Sequence, residues 1–232
     1  MRDAAAELHN TLPLRAQVTD MNEESRIRTA CLTVGMLGTN CYIMVNPDTG
    51  EAVVIDPGAQ AERILRTVTQ QNASVCAVLL THGHFDHIGA VEDLRLGCGC
   101  PVYALEAEKE VLSSERMNLS SQFSSSMRIE ADVWLHDTET IVCAGIQFEV
   151  IATPGHTPGG CCFYVKEGGL LFAGDTLFAG SAGRTDFPGG SMEELISSVK
   201  NRLFCLPDDT KVLPGHGGFS TIGYEKVNNP FF

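Results

Sequence analysis

No run of this 232-residue chain approaches the ~18 consecutive apolar residues of a membrane span. The first twenty residues also lack the basic start and long apolar centre of a signal peptide. Positive charge is scarce: 16 Lys and Arg face 29 Asp and Glu, a formal charge of −13 with no basic cluster. That balance excludes binding to nucleic acid or an anionic membrane through bulk electrostatics. There is no GxSxG, so a serine triad has no support. The nine cysteines include no CxxC pair, and several sit inside apolar runs such as Ala73–Leu80. They are expected to be buried, reduced thiols, and the compartment is expected to be cytoplasmic. Cys98 and Cys100 lack the further thiolate partners that a closed metal site needs.

A length of 232 residues and 44 % hydrophobic composition suffice for a buried core without structural disulfides. Residues 1–26 show no pattern leading into a domain and are expected to form a disordered or loosely attached tail. Met21 stands beside Met1 as a second candidate start. Residues 27–232 are expected to fold as one domain. Thr29–Val34, Asn40–Val45 and Ala52–Ile55 are short apolar or β-branched runs separated by turn chemistry, which reads as an antiparallel meander. Ala61–Gln71 has helical spacing, and the apolar run Val75–Leu80 reads as a central strand buried on both faces. Helices are expected over Ile88–Leu96, Glu106–Leu112 and Met192–Phe204, the last capped by Ser191. Strands are expected over Val102–Ala104, Ile146–Ala152, Cys161–Val165 and Leu170–Ala173, with Lys211–Leu213 as the last. The pattern is an α/β sandwich with sheet inside and helices outside.

The densest chemistry is Thr81-His82-Gly83-His84-Phe85-Asp86-His87. A chain of this composition would contain HxHxDH by chance in about 3 of 10,000 cases. In an extended segment, residues i and i+2 point the same way, so His82 and His84 can grip one cation. Asp86 and His87 follow where the chain bends into a helix and can face a second. Imidazole and carboxylate together suit zinc, iron or manganese. Three further segments repeat the logic of a strand followed by a constrained loop: Pro154-Gly155-His156, Ala173-Gly174-Asp175 and Pro214-Gly215-His216. A carboxylate such as Asp175 can bridge two cations with its two oxygens. His9 and His136 match no motif.

HGHFDH, PGHTPGG, AGDTLF and PGHGG, in this order, resemble the metallo-β-lactamase fold superfamily over roughly residues 28–232. The resemblance implies a four-layer αββα sandwich with two divalent metal ions at one edge. By motif match His82, His84 and His156 would hold one metal; Asp86, His87 and His216 would hold the other, with Asp175 bridging. Zinc is the expected metal, with iron or manganese as alternatives. Asp56, in Val-Ile-Asp-Pro-Gly, resembles the buried Asp that orients the histidine loop in this superfamily, although a simple turn residue reads equally well. Gly183-Arg184-Thr185-Asp186-Phe187 is similar to the glyoxalase II group and to the persulfide dioxygenases. Arg184 and Asp186 are therefore expected to line the substrate pocket or to pair with each other. The ending Glu225 through Asn229-Pro230-Phe231 resembles short, single-domain glyoxalase II-like hydrolases. True glyoxalase II carries a helical C-terminal domain that helps bind glutathione, whereas only sixteen residues follow His216 here.

These readings lead to an expected hydrolase of hydroxyacyl thioesters. Two metals can share a hydroxide and lower the pKa of water toward ~7. Two dications, the Asp86 and Asp175 carboxylates and one hydroxide leave a residual positive charge, which favours a small anionic thioester. The alternatives are a mononuclear iron persulfide dioxygenase using His82, His156 and Asp175, and a lactone hydrolase on the same fold.

Overall fold

A computed structural model of the chain describes residues 17–19, 26–123 and 126–232. The first sheet has the order β1 (Gln17–Thr19), β2 (Arg28–Val34), β3 (Thr39–Asn46), β4 (Glu51–Ile55), β5 (Ser74–Leu80), β6 (Val102–Leu105) and β7 (Val133–Leu135). Strands β2 to β4 form the expected antiparallel meander, to which β1 adds antiparallel at the edge, and β4 to β7 run parallel. The second sheet comprises β8 (Thr140–Cys143), β9 (Ile146–Ala152), β10 (Cys161–Val165), β11 (Leu170–Gly174), β14 (Lys211–Pro214) and β15 (Ser220–Thr221). A hairpin of β12 (Leu177–Phe178) and β13 (Ser181–Ala182) stands apart from both. The helices are α1 (Ala61–Gln70), α2 (Phe85–Ile88), α3 (Val91–Cys98), α4 (Lys109–Ser113), α5 (Met192–Asn201) and α6 (Ile222–Asn228).

Burial on both faces explains why the middle of β3, and β10 and β11, are apolar without interruption. In β3, Tyr42 and Met44 enter the core between the sheets, while Cys41, Ile43 and Val45 pack outward with Ile64 and Val68 of α1 and Leu94 of α3. In β10 and β11, Phe163 and Phe172 face the first sheet, whereas Cys162, Tyr164 and Leu171 face Val199 of α5 and Ile222 of α6. A strand buried on both faces needs apolar residues at every position. The three clusters thus build four layers, helix–sheet–sheet–helix, as the family resemblance implied. Among the described residues no helix is long and apolar enough to cross a membrane.

Four expectations are corrected. The expected tail lies mostly outside the described residues, but within it Gln17–Thr19 pairs antiparallel with β2. The free edge of β2 offers backbone groups that an adjacent extended segment can satisfy. The single helix expected over Ile88–Leu96 is two, α2 and α3, because the chain bends around the Asp56-Pro57-Gly58 turn, where Ala90 N–H donates to Pro57 O at 2.8 Å. The helix over Glu106–Leu112 begins as a 3-10 turn, Glu106–Glu108, and continues as α4. Lys211–Leu213 is not the last strand: β15 and α6 follow, with Thr221 Oγ1 capping Tyr224 N. Ser191 caps α5 as predicted, its side chain accepting from Glu194 N.

Candidate metal centre

All seven predicted ligand residues meet at one edge of the sandwich. His82, His84, Asp86 and His87 come from the segment after β5, His156 from the loop after β9, Asp175 from the end of β11, and His216 from the loop after β14. His82, His84 and His156 form one cluster and Asp86, His87 and His216 another, each with its ligand atoms within 4.8 Å of one another. Asp175 stands between them. Its Oδ1 lies 3.4 Å from His87 Nε2, and its Oδ2 lies 3.5 Å from His156 Nε2 and 3.6 Å from His216 Nε2.

The donors fit a pair of cations. His82 Nε2, His87 Nε2 and Asp175 Oδ1 are buried without a hydrogen-bond partner, a condition that buried polar atoms rarely tolerate unless an ion or water completes them. Burial, reinforced by the neighbouring imidazoles, holds His82 well below its ordinary pKa and His84 at about 3. Both are therefore neutral, the form that ligates metal. Burial opposes ionisation of Asp175, yet the adjacent His87 brings its carboxyl down to about 2. Burial likewise opposes ionisation of Asp86, and His87, His216 and Thr39 overcome it.

The surrounding residues fix each ligand. Asp56, 2 % exposed, accepts from Thr81 N at 2.8 Å and from Thr81 Oγ1 at 2.6 Å. It also takes the His87 Nδ1 proton at 3.0 Å, which leaves His87 Nε2 aimed at the site. Asp56 thus orients the histidine loop as well as shaping its turn. Burial opposes a charge on His87, but Asp86, Asp175 and Asp56 raise its pKa well above the ordinary value. A metal must displace the second proton, on Nε2, so metal affinity is expected to fall as pH is lowered from 8 to 6, measured by competition with a chelating dye.

Gly58 allows the Asp56 turn to lie directly on the ligand loop. A Cβ at Gly58 would sit 1.6 Å from Asp86 O. Gly58→Ala is expected to lower stability by about 3 kcal/mol or more, since the clash is with backbone, and to reduce metal content in the folded fraction. Thermal unfolding and metal analysis of the variant check this; a wild-type melting temperature would contradict it.

Arg184 and Asp186 pair with each other, Nε to Oδ1 at 2.9 Å and Nη2 to Oδ2 at 2.7 Å. The part of Arg184 that touches a ligand is its backbone: Arg184 O accepts the His156 Nδ1 proton at 2.6 Å. Arg184 also lines a cleft of about 400 Å³ onto which His84, Asp86, His156, Asp175 and His216 open.

The sequence reading missed several supporting residues. Glu108, 1 % exposed, accepts from Gly83 N at 2.8 Å with one oxygen. Its other oxygen accepts from Thr157 Oγ1 at 3.0 Å and Gly159 N at 2.9 Å. One carboxylate thereby ties the His82–His84 loop to the His156 loop. Burial pushes its pKa up to about 7 against those three donors. Glu108→Ala would leave two buried N–H groups unpaired at about 1–3 kcal/mol each, offset by relief of a buried charge. The expected loss is about 2–4 kcal/mol, readable by denaturant unfolding at constant m; a loss below about 1 kcal/mol would remove Glu108 from this role. Thr39 Oγ1 donates to Asp86 Oδ2 at 2.7 Å, and Asn40 Nδ2 and Tyr42 Oη hold Pro214 O beside His216 at 3.0 and 2.6 Å. None of these shows a spacing signal, because each partner is distant in sequence.

No thiol joins a ligand cluster among the described residues, although Cys161 lies close behind His82, His156 and Asp175. All nine are unpaired, but the expectation of burial holds for five only: Cys205 is exposed and Cys31, Cys76 and Cys98 are half-buried, while burial raises the Cys162 pKa to about 11. Cys98 and Cys100 join no metal-compatible cluster among the described residues.

Comparison with known proteins agrees with this geometry. The hydroxyacylglutathione hydrolase GloC of Haemophilus influenzae is 39 % identical over 196 residues, covering 83 % of this chain and 92 % of the relative. The crystal structure of the BLEG-1 B3 metallo-beta-lactamase matches with a TM-score of 0.83 and 38 % identity over 88 % of this chain and 98 % of that one. TTHA1623, solved in a di-iron-bound form, matches with a TM-score of 0.77 and 35 % identity over 87 % of this chain and 99 % of that one. The family model for the metallo-beta-lactamase superfamily covers residues 34–216, from the end of β2 to the last histidine of the centre. With four layers, two donor clusters and that span in agreement, the chain belongs to the metallo-beta-lactamase superfamily.

Proposed function

We propose that this metallo-hydrolase is a thioesterase that cleaves hydroxyacyl thioesters by glyoxalase II-like chemistry. The observation that carries the reading is the paired donor set: two three-residue clusters share Asp175 and open on one cleft. When bound there, two divalent cations, with zinc the proposed metal, acidify water and polarise an acyl carbonyl.

The chain's own residues do the rest. Asp86 and Asp175 stay ionised and are the proposed catalytic carboxylates; Asp86 Oδ2 lies 3.2 Å from His216 Nε2 at the mouth of the cleft. Thr39 fixes the rotamer of Asp86, Asp56 fixes the tautomer of His87, and Arg184 O fixes that of His156. A departing thiolate needs little help with protonation, since a thiol is already fairly acidic. The name of the Haemophilus influenzae relative supports thioester chemistry. A mononuclear iron dioxygenase would leave the Asp86–His87–His216 cluster without a task, whereas a lactone could be opened by the same centre.

The test is hydrolysis of S-lactoylglutathione, a panel of acyl thioesters and a panel of lactones, with metal content measured on the same sample. About two metals per chain and turnover of thioesters are expected. One iron per chain, with oxygen uptake on a persulfide, would overturn the proposal.

A further inference from the structure

The cleft beyond the ligands is apolar. Its walls are Leu37, Phe85, Leu119, Phe123, Phe178 and Phe187. Phe85 and Phe123 stack at 4.2 Å and 27° to form one side. Phe187 stands edge-on to His84 at 5.5 Å and to His156 at 6.2 Å, and Phe178 lies 6.1 Å from His216. Aromatic rings therefore flank His84, His156 and His216, the imidazoles that open on the cleft. The apolar character continues outward, since Leu37 and its neighbour Met36, at the tip of the β2–β3 turn, are 47 % and 79 % exposed.

Charge is missing where a charged substrate would require it. Apart from the candidate ligands, only Gln122 and Arg184 bring a polar side chain to the lining. Arg184 already donates to both oxygens of Asp186 and stacks over Phe187 at 4.4 Å. A glutathione moiety carries two carboxylates, and no unpaired cation among the lining residues meets them. The positive charge of a metal-loaded centre lies at the reacting end only.

We propose that the part of the substrate away from the scissile bond is an uncharged apolar group, a medium-length aliphatic chain or an aryl group, and not a carboxylate-bearing peptide thiol. This rests on the thioester reading and narrows it. A cleft of about 400 Å³ is at the lower end of the range that encloses a small organic ligand. The apolar group can belong to the acyl part or to the thiol part, and the two are separable by experiment.

The experiment uses the metal-loaded full chain and two substrate ladders. One lengthens the acyl chain from acetyl to octanoyl on N-acetylcysteamine; the other lengthens an S-alkyl group on acetyl thioesters. For each methylene that becomes fully buried, kcat/KM is expected to rise about fourfold on one ladder, and the longer members should exceed S-lactoylglutathione. Phe123→Ala and Phe187→Ala should each flatten the rising ladder, lowering the octanoyl rate more than the acetyl rate. Binding of butanoate, hexanoate and octanoate, followed by calorimetry, gives a readout independent of turnover. Turnover with both ladders flat and S-lactoylglutathione preferred would overturn the apolar assignment and leave the thioester reading standing. No thioester turnover, with carboxylate binding that tightens along the series, would reject the thioester reading and uphold the apolar cleft. Carboxylate binding that does not respond to chain length would overturn the assignment whatever the turnover.

Discussion

Asp175→Asn should abolish most activity while leaving the fold intact. The amide has the shape of the carboxylate, so the end of β11 need not move. It cannot present two anionic oxygens, one toward His87 Nε2 at 3.4 Å and the other toward His156 and His216 at 3.5 and 3.6 Å. Half of the amide is a donor pointing where cations are to be held. Metal-centred charge stabilisation is worth several kcal/mol, and each ~1.4 kcal/mol is tenfold in rate. The expected fall in kcat/KM is on the order of 10³ or more, with metal content reduced toward half or below. Metal analysis, kinetics and circular dichroism on one preparation decide it. Unchanged turnover at unchanged metal content would remove Asp175 from the centre.

Asp56→Asn should act through His87 without touching the cleft. Asp56 holds φ at 51°, a region that Asn also enters readily. The backbone is therefore preserved and only the hydrogen bonds change. Three donors converge on the carboxylate: Thr81 N, Thr81 Oγ1 and His87 Nδ1. An amide offers one oxygen, so at least one buried donor loses its acceptor at about 1–3 kcal/mol. Partners behind a ligating histidine typically change metal affinity by about 10–100-fold, and a loss in that range is expected by chelator competition. A pH signature accompanies it. Because the carboxylates around His87 raise its pKa in the folded metal-free chain, they stabilise that chain fully below the unfolded histidine value of about 6.5. The stabilisation is lost as pH rises through the folded pKa. Asp56→Asn should therefore reduce metal-free stability more at pH 6 than at pH 9. An equal loss at both values would assign Asp56 to the turn alone.

The ligands were legible in the sequence because metal coordination demands rare residue types at fixed places. HGHFDH announces itself, and each of the other three ligands follows a predicted strand within a Pro- or Gly-rich loop. The strands were legible because β10, β11 and most of β5 are buried on both faces and contain almost nothing polar, and the middle of β3, Cys41–Val45, is apolar in the same way. The supporting groups were not. Glu108 reads as one more acidic residue of a short helix, and its partners lie 25 to 51 positions away. Thr39 and Asn40 lie in an ordinary strand, and only its pairing in space brings them to Asp86 and to the loop that carries His216. The split between α2 and α3 escaped for the same reason: the backbone of Pro57, 33 residues before Ala90, decides where that helix breaks.

Neither donor cluster belongs to one sheet. His82 and His84 follow a strand of the first sheet, and His156 follows a strand of the second; Asp86 and His87 against His216 repeat that division. A chain with only one sheet formed would offer two donors to either cation, so full capture must come late, after the halves dock. Ions seated at both clusters would rivet the sandwich together, since pulling the halves apart would break coordination at each. Stripping the ions should therefore quicken unfolding far more than it slows folding, and the metal-free chain should be the form that proteases clear.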